Sequence, residues 1–191
     1  RQDTEVLVEH AIESIVNAGE EAANILEVGV GSGCIAISLL SELRKRNIKY
    51  NYTGIDISAD ALKIAKLNAE AHKLHEAKFI VRDFLSENYR IESENHFIIS
   101  NPPYVSLEEY TELEPEVREH EPKYAITDSS DGFNFYNKFI ESYLVNNANY
   151  FLEIPYNGKD RLERMMKENG IENFSFCKDY NNNYRVLKIL R

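Results

Sequence analysis

Tryptophan is absent from the 191 residues, and cysteine and methionine occur only twice each. Cys34 and Cys177 lie far apart and in no C-x-x-C spacing, which excludes a disulfide framework and suits a reducing compartment. Basic residues are in the minority, 22 Lys and Arg against 32 Asp and Glu, for a formal net charge of −10. A sequence-independent grip on nucleic acid needs clustered cations that displace counterions, so direct nucleic-acid binding is not expected and a basic partner suits the chain better. No apolar run approaches membrane-spanning length and no secretory signal opens the chain, so the expectation is a cytoplasmic, monomeric protein without membrane contact. Proline and glycine are scarce and unevenly placed. Two of the five prolines are adjacent at 102 and 103, and three of the eight glycines fall within 29–33.

What is present reads as one ordinary globular domain, 43% hydrophobic and 28% charged. Residues 1–22 read as a leading helix and the segment into the first strand, and 23–191 as an α/β core. "TEVLVEHAIESIV" has helical periodicity, with Asp3 or Thr4 placed to cap it. "NILEV", "YNYTGID", "KFIVRD", "HFIIS" and "NYFLEI" read as strands, separated by helices over "CIAISLLSEL", "ADALKIAKLNAEAH" and "NFYNKFIESYL". Ser58 is placed to cap the second of these, with Leu62, Ala65 and Leu67–Ala69 on its inner side. "KDRLERMMKEN" reads as a further helix, and "NFSFCKD" and "YRVLKIL" as a closing hairpin. Alternating elements with continuously apolar strands predict a mostly parallel sheet covered on both faces, finished by an antiparallel hairpin.

In open α/β sheets the ligand sits beyond the carboxyl ends of the strands. Four such ends carry a signal here: Gly29-Val30-Gly31-Ser32-Gly33, then Asp56-Ile57, then Asp83-Phe84, then Asn101-Pro102-Pro103-Tyr104. Glycines let a ligand approach the backbone, although a tight strand-to-helix turn also uses them for packing. Asp56 stands where a carboxylate accepts from two ribose hydroxyls; otherwise it is a helix cap or turn residue. Glu27, just before a G-x-G-x-G loop, opposes a pyrophosphate and suits a cationic ligand. S-adenosylmethionine fits, with a sulfonium, an ammonium and no phosphate. Asp83 is placed to accept from the adenine amino group and Phe84 to lie on the ring, against the alternative that Phe84 only packs in the core.

Asn101 to Tyr104 form a corner poor in donors. The Asn101 side-chain oxygen and the Pro102 carbonyl can accept from the two N–H groups of a primary amide or exocyclic amine. Pro102 and Pro103 lack N–H groups and have fixed φ, and Tyr104 offers a ring face to a flat group. That arrangement orients a nitrogen lone pair at a methyl electrophile, and needs no base beforehand because the proton can leave afterwards.

"ILEVGVGSGCIAISLL", "GIDIS", "RDF" and "NPPY" in this order resemble class I S-adenosylmethionine-dependent methyltransferases that act on nitrogens of planar systems. The stretch "LEPEVREHEPKYAITDSSDGFNFY" narrows the resemblance to the HemK/PrmC family of release factor glutamine methyltransferases. That family's pattern has an E-V-R near an E-P, then Asp-Gly before an aromatic, here Glu116-Val117-Arg118, Glu121-Pro122 and Asp131-Gly132-Phe133. "RQDTEVLVE" resembles the family's R-P-E-T-E opening and "KDYNNNYRVLKI" its closing hairpin. The resemblance implies N5-methylation of the glutamine in the Gly-Gly-Gln loop of peptide-chain release factors. Carried over by position, it assigns Gly29 to Gly33, Asp56 and Phe84 to the cofactor, Asn101 to both ligands, and Asn101 to Tyr104 to the glutamine; the reading of the strand ends adds Glu27, Ile57 and Asp83 to the cofactor set. The chain departs from the pattern at Gln2, Pro155 and Gly158, and shows no counterpart of the helical domain that precedes the family's catalytic domain.

An acidic stretch, Glu108, Glu109, Glu112, Glu114, Glu116, Glu119 and Glu121 against Arg118, is either a solvated loop or a border that meets a basic partner. His72 and His75 share a helix face without a third ligand, so no metal site is expected. The competing activities are methylation of a nucleic-acid base (adenine N6 or guanine N2), which suits the same corner, and of another protein side chain, a ribosomal-protein glutamine or a lysine. A binding protein that keeps the fold without turnover is a further class, disfavoured by the intact corner.

Overall fold

The computed structural model describes residues 2–92, 94, 96–114 and 122–191. Its strands are β1 (Ala23–Val28), β2 (Tyr50–Asp56), β3 (Lys78–Val81), β4 (Phe97–Ser100), β5 (Asn149–Glu153), β6 (Phe174–Lys178) and β7 (Tyr184–Ile189). The helices are α1 (Gln2–Ala18), α2 (Cys34–Lys45), α3 (Ala59–Ala71), α4 (Leu107–Glu112), α5 (Lys123–Ile126), α6 (Asn134–Val145) and α7 (Lys159–Glu168). The strands make one sheet in the order β3-β2-β1-β4-β5-β7-β6. The first five are parallel, and β7 runs antiparallel between β5 and β6.

Side-chain alternation divides the central strands between two faces. Ile25, Phe97, Ile99 and Phe151 pack with Leu7, Ala11, Leu39 and Leu43 of α1 and α2. Leu26, Ile98, Tyr150 and Leu152 pack with Tyr136, Phe139, Leu162 and Met166 of α6 and α7. Burying both faces is why β4 and β5 are apolar throughout, whereas β3, at the edge, leaves Ile80 and Val81 exposed. From β1 the chain winds outward through β2 and β3, then returns to add β4 on the other side. The switch point therefore lies between β1 and β4, where the crevice of such a sheet opens.

Several local expectations change. α1 already includes residues 2–4, so neither Asp3 nor Thr4 is its cap, and the Thr4 hydroxyl instead donates to Glu153 at 2.9 Å. Ser58 does cap α3, accepting from the Ala61 N–H at 3.2 Å, but Leu67 faces solvent while Leu62, Ala65 and Ala69 face inward. Part of the acidic stretch is ordered as α4, whose start is closed by a reciprocal capping box between Ser106 and Glu109. Glu116, Val117, Arg118, Glu119 and Glu121 lie outside the described residues. Pro155 and Gly158, two departures from the family pattern, belong together: a Cβ on Gly158 would sit 2.7 Å from the Pro155 ring, and the Gly158 N–H closes the turn on the Pro155 carbonyl. Among the described residues no helix is long and apolar enough to cross a membrane.

Candidate active site

At the switch point a cavity of about 1510 Å³ opens over the carboxyl ends of β1, β2, β3 and β4. Its walls include Gly29 to Ser32 after β1, Asp56 and Ile57 after β2, Asp83 and Phe84 after β3, and Asn101 to Tyr104 after β4. All four expected strand ends therefore meet in one space. The ends of β1 and β4 are tied together beneath it, where the buried Ser100 hydroxyl donates to the Val28 carbonyl at 2.7 Å.

Four backbone N–H groups of the glycine loop are already engaged within the protein. The N–H groups of Gly29 and Val30 are bonded to the Ile55 carbonyl, that of Gly33 to the Val30 carbonyl, and that of Gly31 to Asp56 Oδ2 at 2.9 Å. A pyrophosphate held by these four groups would need them free; all four are engaged. Gly31 has φ +56° and open space where a Cβ would project, so the loop gives a ligand body direct access to backbone. Asp56 accepts from Gly31 and, through Oδ1, from the Ser58 N–H at 2.8 Å. Each oxygen keeps a further lone pair, which suits a vicinal diol. A phosphate-free nucleoside fits this donor set, and S-adenosylmethionine is one.

Two expected cofactor contacts are not on the cavity wall. Gly33 is buried, and a Cβ there would meet Ala65 Cβ at 3.2 Å, so its glycine serves the packing of α2 on α3. Glu27 is fully buried beneath the loop, with the Tyr52 hydroxyl donating to Oε2 at 2.5 Å. Burial pushes the Glu27 carboxyl up to about 8; the Tyr52 hydrogen bond opposes this and the Asp56 carboxylate adds to it. Burial thus favours the neutral form of Glu27, which faces the core and not the cavity, so its charge does not select the ligand. Below its ordinary 4.5 the group is protonated whether folded or unfolded, so the stability it confers is complete there and is lost as pH rises to about 8. Glu27→Gln is expected to match the wild type near pH 4.5 and to exceed it at pH 8.5 by on the order of a few kcal/mol, read by urea denaturation across pH.

Phe84 reaches the cavity as part of an aromatic cluster. It is 4% exposed, with ring centroids 4.6 Å from Phe139, 5.7 Å from Phe135 and 5.9 Å from Tyr89. Asp83 Oδ1 accepts from the Leu85 N–H at 2.9 Å, holding the turn after β3.

The corner at Asn101 to Tyr104 is backed by residues 127–134. Val105 bridges Thr127, and Leu107 donates to the Ser130 carbonyl. Asp128 accepts from the N–H groups of Ser130, Gly132 and Asn134, folding this segment against Tyr104. Arg161 pairs with Asp131 and lies 3.8 Å over the Phe133 ring, anchoring the segment to α7. Wall residues that the strand-end pattern does not reach include Thr4 on α1 and Lys123 and Tyr124 on α5, whose Tyr124 hydroxyl reaches Ser58 Oγ at 2.9 Å. Thr4 lies within the quoted opening motif; nothing in the sequence marks Tyr124.

A seven-stranded sheet of this order, with its cavity at the β1/β4 switch, is the class I S-adenosylmethionine-dependent methyltransferase fold. The profile of the methyltransferase small domain family matches residues 2–115, more than half of the chain, and the chain belongs to that family. It is 36% identical over 193 residues to the release factor glutamine methyltransferase of Fusobacterium nucleatum subsp. nucleatum, covering 98% of this chain and 52% of that one. It is 39% identical over 142 residues to the release factor glutamine methyltransferase of Chlorobaculum tepidum, covering 71% and 47%. The chain thus spans about half the length of these curated relatives. Among solved structures, the hMettl16 catalytic domain in complex with the MAT2A 3′UTR hairpin 1 aligns with a TM-score of 0.66 over 96% of this chain and 69% of that one. At 17% identity that likeness is one of fold.

Proposed function

We propose that this chain carries S-adenosylmethionine-dependent N5-methylation of the glutamine side-chain amide in the Gly-Gly-Gln motif of peptide-chain release factors. The observation that carries this reading is the Asn101–Tyr104 corner opening into the same cavity as the glycine loop and Asp56. The relatives' names support the substrate.

S-adenosylmethionine, when bound, supplies an electrophilic methyl group on a sulfonium. Gly29 to Ser32 would line its body, Asp56 would accept from the ribose hydroxyls beside Ile57, Asp83 would accept from the adenine amino group, and Phe84 would back the ring. Asn101 Oδ1 and the Pro102 carbonyl accept the two N–H groups of the substrate amide, which turns the nitrogen lone pair toward the methyl. Pro103 stiffens the corner and offers no competing donor, and Tyr104 flanks the amide plane. No wall side chain would need to remove a proton first: the amide nitrogen would take the methyl as its bond to sulfur breaks and a neutral thioether leaves, and the N–H proton would then pass to solvent. Catalysis is then chiefly positioning in a sheltered site.

Labelled methyl donor offered with release factor, its Gln→Ala form, histone, rRNA and DNA tests the reading. Label is expected on release factor alone; label kept by the Gln→Ala form, or taken preferentially by nucleic acid, would count against it.

A basic surface on the partner suits the exposed carboxylates of α4, which sits beside the cavity wall at Leu113. Glu109 is committed to the capping box, so the clean probes are Glu108 and Glu112. Reversing both to lysine is expected to raise the KM for release factor by about 3- to 10-fold at low salt and to flatten its salt dependence. An unchanged KM and salt slope would make α4 merely solvated.

A further inference from the structure

Behind the corner, where β5 ends, lies a carboxylate that the reading above does not use. Glu153 is 1% exposed. Its Oε2 accepts from the Thr4 hydroxyl at 2.9 Å and its Oε1 from the Tyr104 hydroxyl at 3.4 Å. Thr4 Oγ1 stands in turn 3.5 Å from Asn101 Nδ2. The Glu153 backbone carbonyl accepts from the Tyr136 hydroxyl at 2.7 Å, which pins the end of the strand. One acid thus joins the first turn of α1 to two residues of the corner, across sequence separations of 149 and 49.

We propose that Glu153 and Thr4 form a positioning relay that sets which end of the Asn101 amide faces the cavity. A hydroxyl has a single proton, and the 2.9 Å contact places that of Thr4 on Glu153. Thr4 then has only lone pairs to offer Asn101, so it accepts from the Nδ2 end. The Oδ1 end is left for the cavity, as an acceptor. The contact to Asn101 is long and contributes little energy by itself, but its direction decides between two amide orientations that are nearly identical in shape. The opposite orientation would set an NH2 group against the N–H groups of the substrate, leaving donors on both sides unpaired. The same carboxylate takes the Tyr104 hydroxyl, so one buried group arranges both ends of the corner. This inference rests on the proposed role of Asn101 as acceptor for a nitrogen that carries hydrogens, and it holds for an amide or an exocyclic amine alike.

The test compares Thr4→Val, Thr4→Ser and Glu153→Gln with the wild type. Valine keeps the shape of threonine but removes the acceptor. Glutamine supplies one acceptor where the carboxylate supplies two. Both are expected to lower kcat by about 10-fold, the cost of losing a part-buried acceptor and the amide orientation it sets, with cofactor affinity unchanged. Thr4→Ser is expected to restore the rate to within about threefold, since it keeps the hydroxyl. Because loss of a buried acid can impair folding, the near-isosteric Thr4→Val decides the kinetic result: a wild-type kcat there overturns the relay. Neutron diffraction from crystals grown in heavy water reads the orientation without any substrate. Two deuterons are expected on the Asn101 side-chain atom nearest Thr4, and deuterons on the cavity side overturn the relay. Should the wild type fail to label release factor while showing the expected deuterons, the substrate assignment fails and the relay stands.

Discussion

Replacing Asn101 by alanine is expected to lower kcat by about 10³-fold while changing the cofactor dissociation constant by less than about threefold. The asymmetry follows from where the residue stands. Asn101 follows β4, and its backbone carbonyl lies 3.8 Å from where a Gly29 Cβ would be, so the backbone at position 101 stays beside the glycine loop whatever side chain it carries. Truncation leaves that support intact, together with the wall at Gly29 to Ser32, Asp56, Ile57, Asp83 and Phe84. What it removes is the proposed acceptor for the substrate N–H, an interaction that would matter chiefly as the nitrogen gains positive charge. Steady-state kinetics and calorimetric titration of the cofactor separate the two quantities. Equal losses in kcat and affinity would make Asn101 a binding residue only.

Gly132→Ala is expected to cost about 3 kcal/mol and to lower the Tm by roughly 6–12 °C, with activity falling further than stability. Gly132 has φ +82°, and a Cβ there would sit 2.4 Å from the Tyr104 carbonyl oxygen and 3.1 Å from its carbonyl carbon. Both are backbone atoms, so no side chain can swing aside to relieve the clash. The segment cannot retreat either, because Asp128 holds the N–H groups on both sides of it and Arg161 ties Asp131 to α7. Relief must come from the corner itself, which moves Tyr104 and with it the alignment on Asn101. Thermal denaturation and kcat on the same preparations check this. A variant as stable and as active as the wild type would mean that residues 127–134 do not brace the corner.

How far the sequence reveals these features depends on whether a residue acts through its own neighbourhood or through distant ones. β2 and the cap of α3 are local matters of apolar runs and a well-placed serine, and both stand where the pattern puts them. The four rim signals are local as well, each at the end of a strand, and parallel topology alone brings them together. Gly33 shows the limit: it has the φ of its companions, +86°, yet its missing Cβ makes room for Ala65 on another helix. Glu27 shows it again, since its register in β1 sends it into the core toward Tyr52, a partner 25 residues away. Thr4 carries an ordinary capping signature, and only the arrival of β5 gives its hydroxyl a different acceptor. The capping box of Ser106 and Glu109 is legible in "SLEE", although the acidic composition around it speaks to charge and not to helix.

In the proposed function a rigid, acceptor-rich corner aims a side-chain nitrogen at a methyl donor across one cavity. A crystal structure with S-adenosylhomocysteine and a peptide containing Gly-Gly-Gln tests it directly. The account predicts adenosine over Asp56, the glutamine amide between Asn101 Oδ1 and the Pro102 carbonyl, and the amide nitrogen facing the sulfur with room for one methyl between them. A glutamine bound elsewhere, or an Asn101 amide turned with Nδ2 toward the substrate, would contradict it.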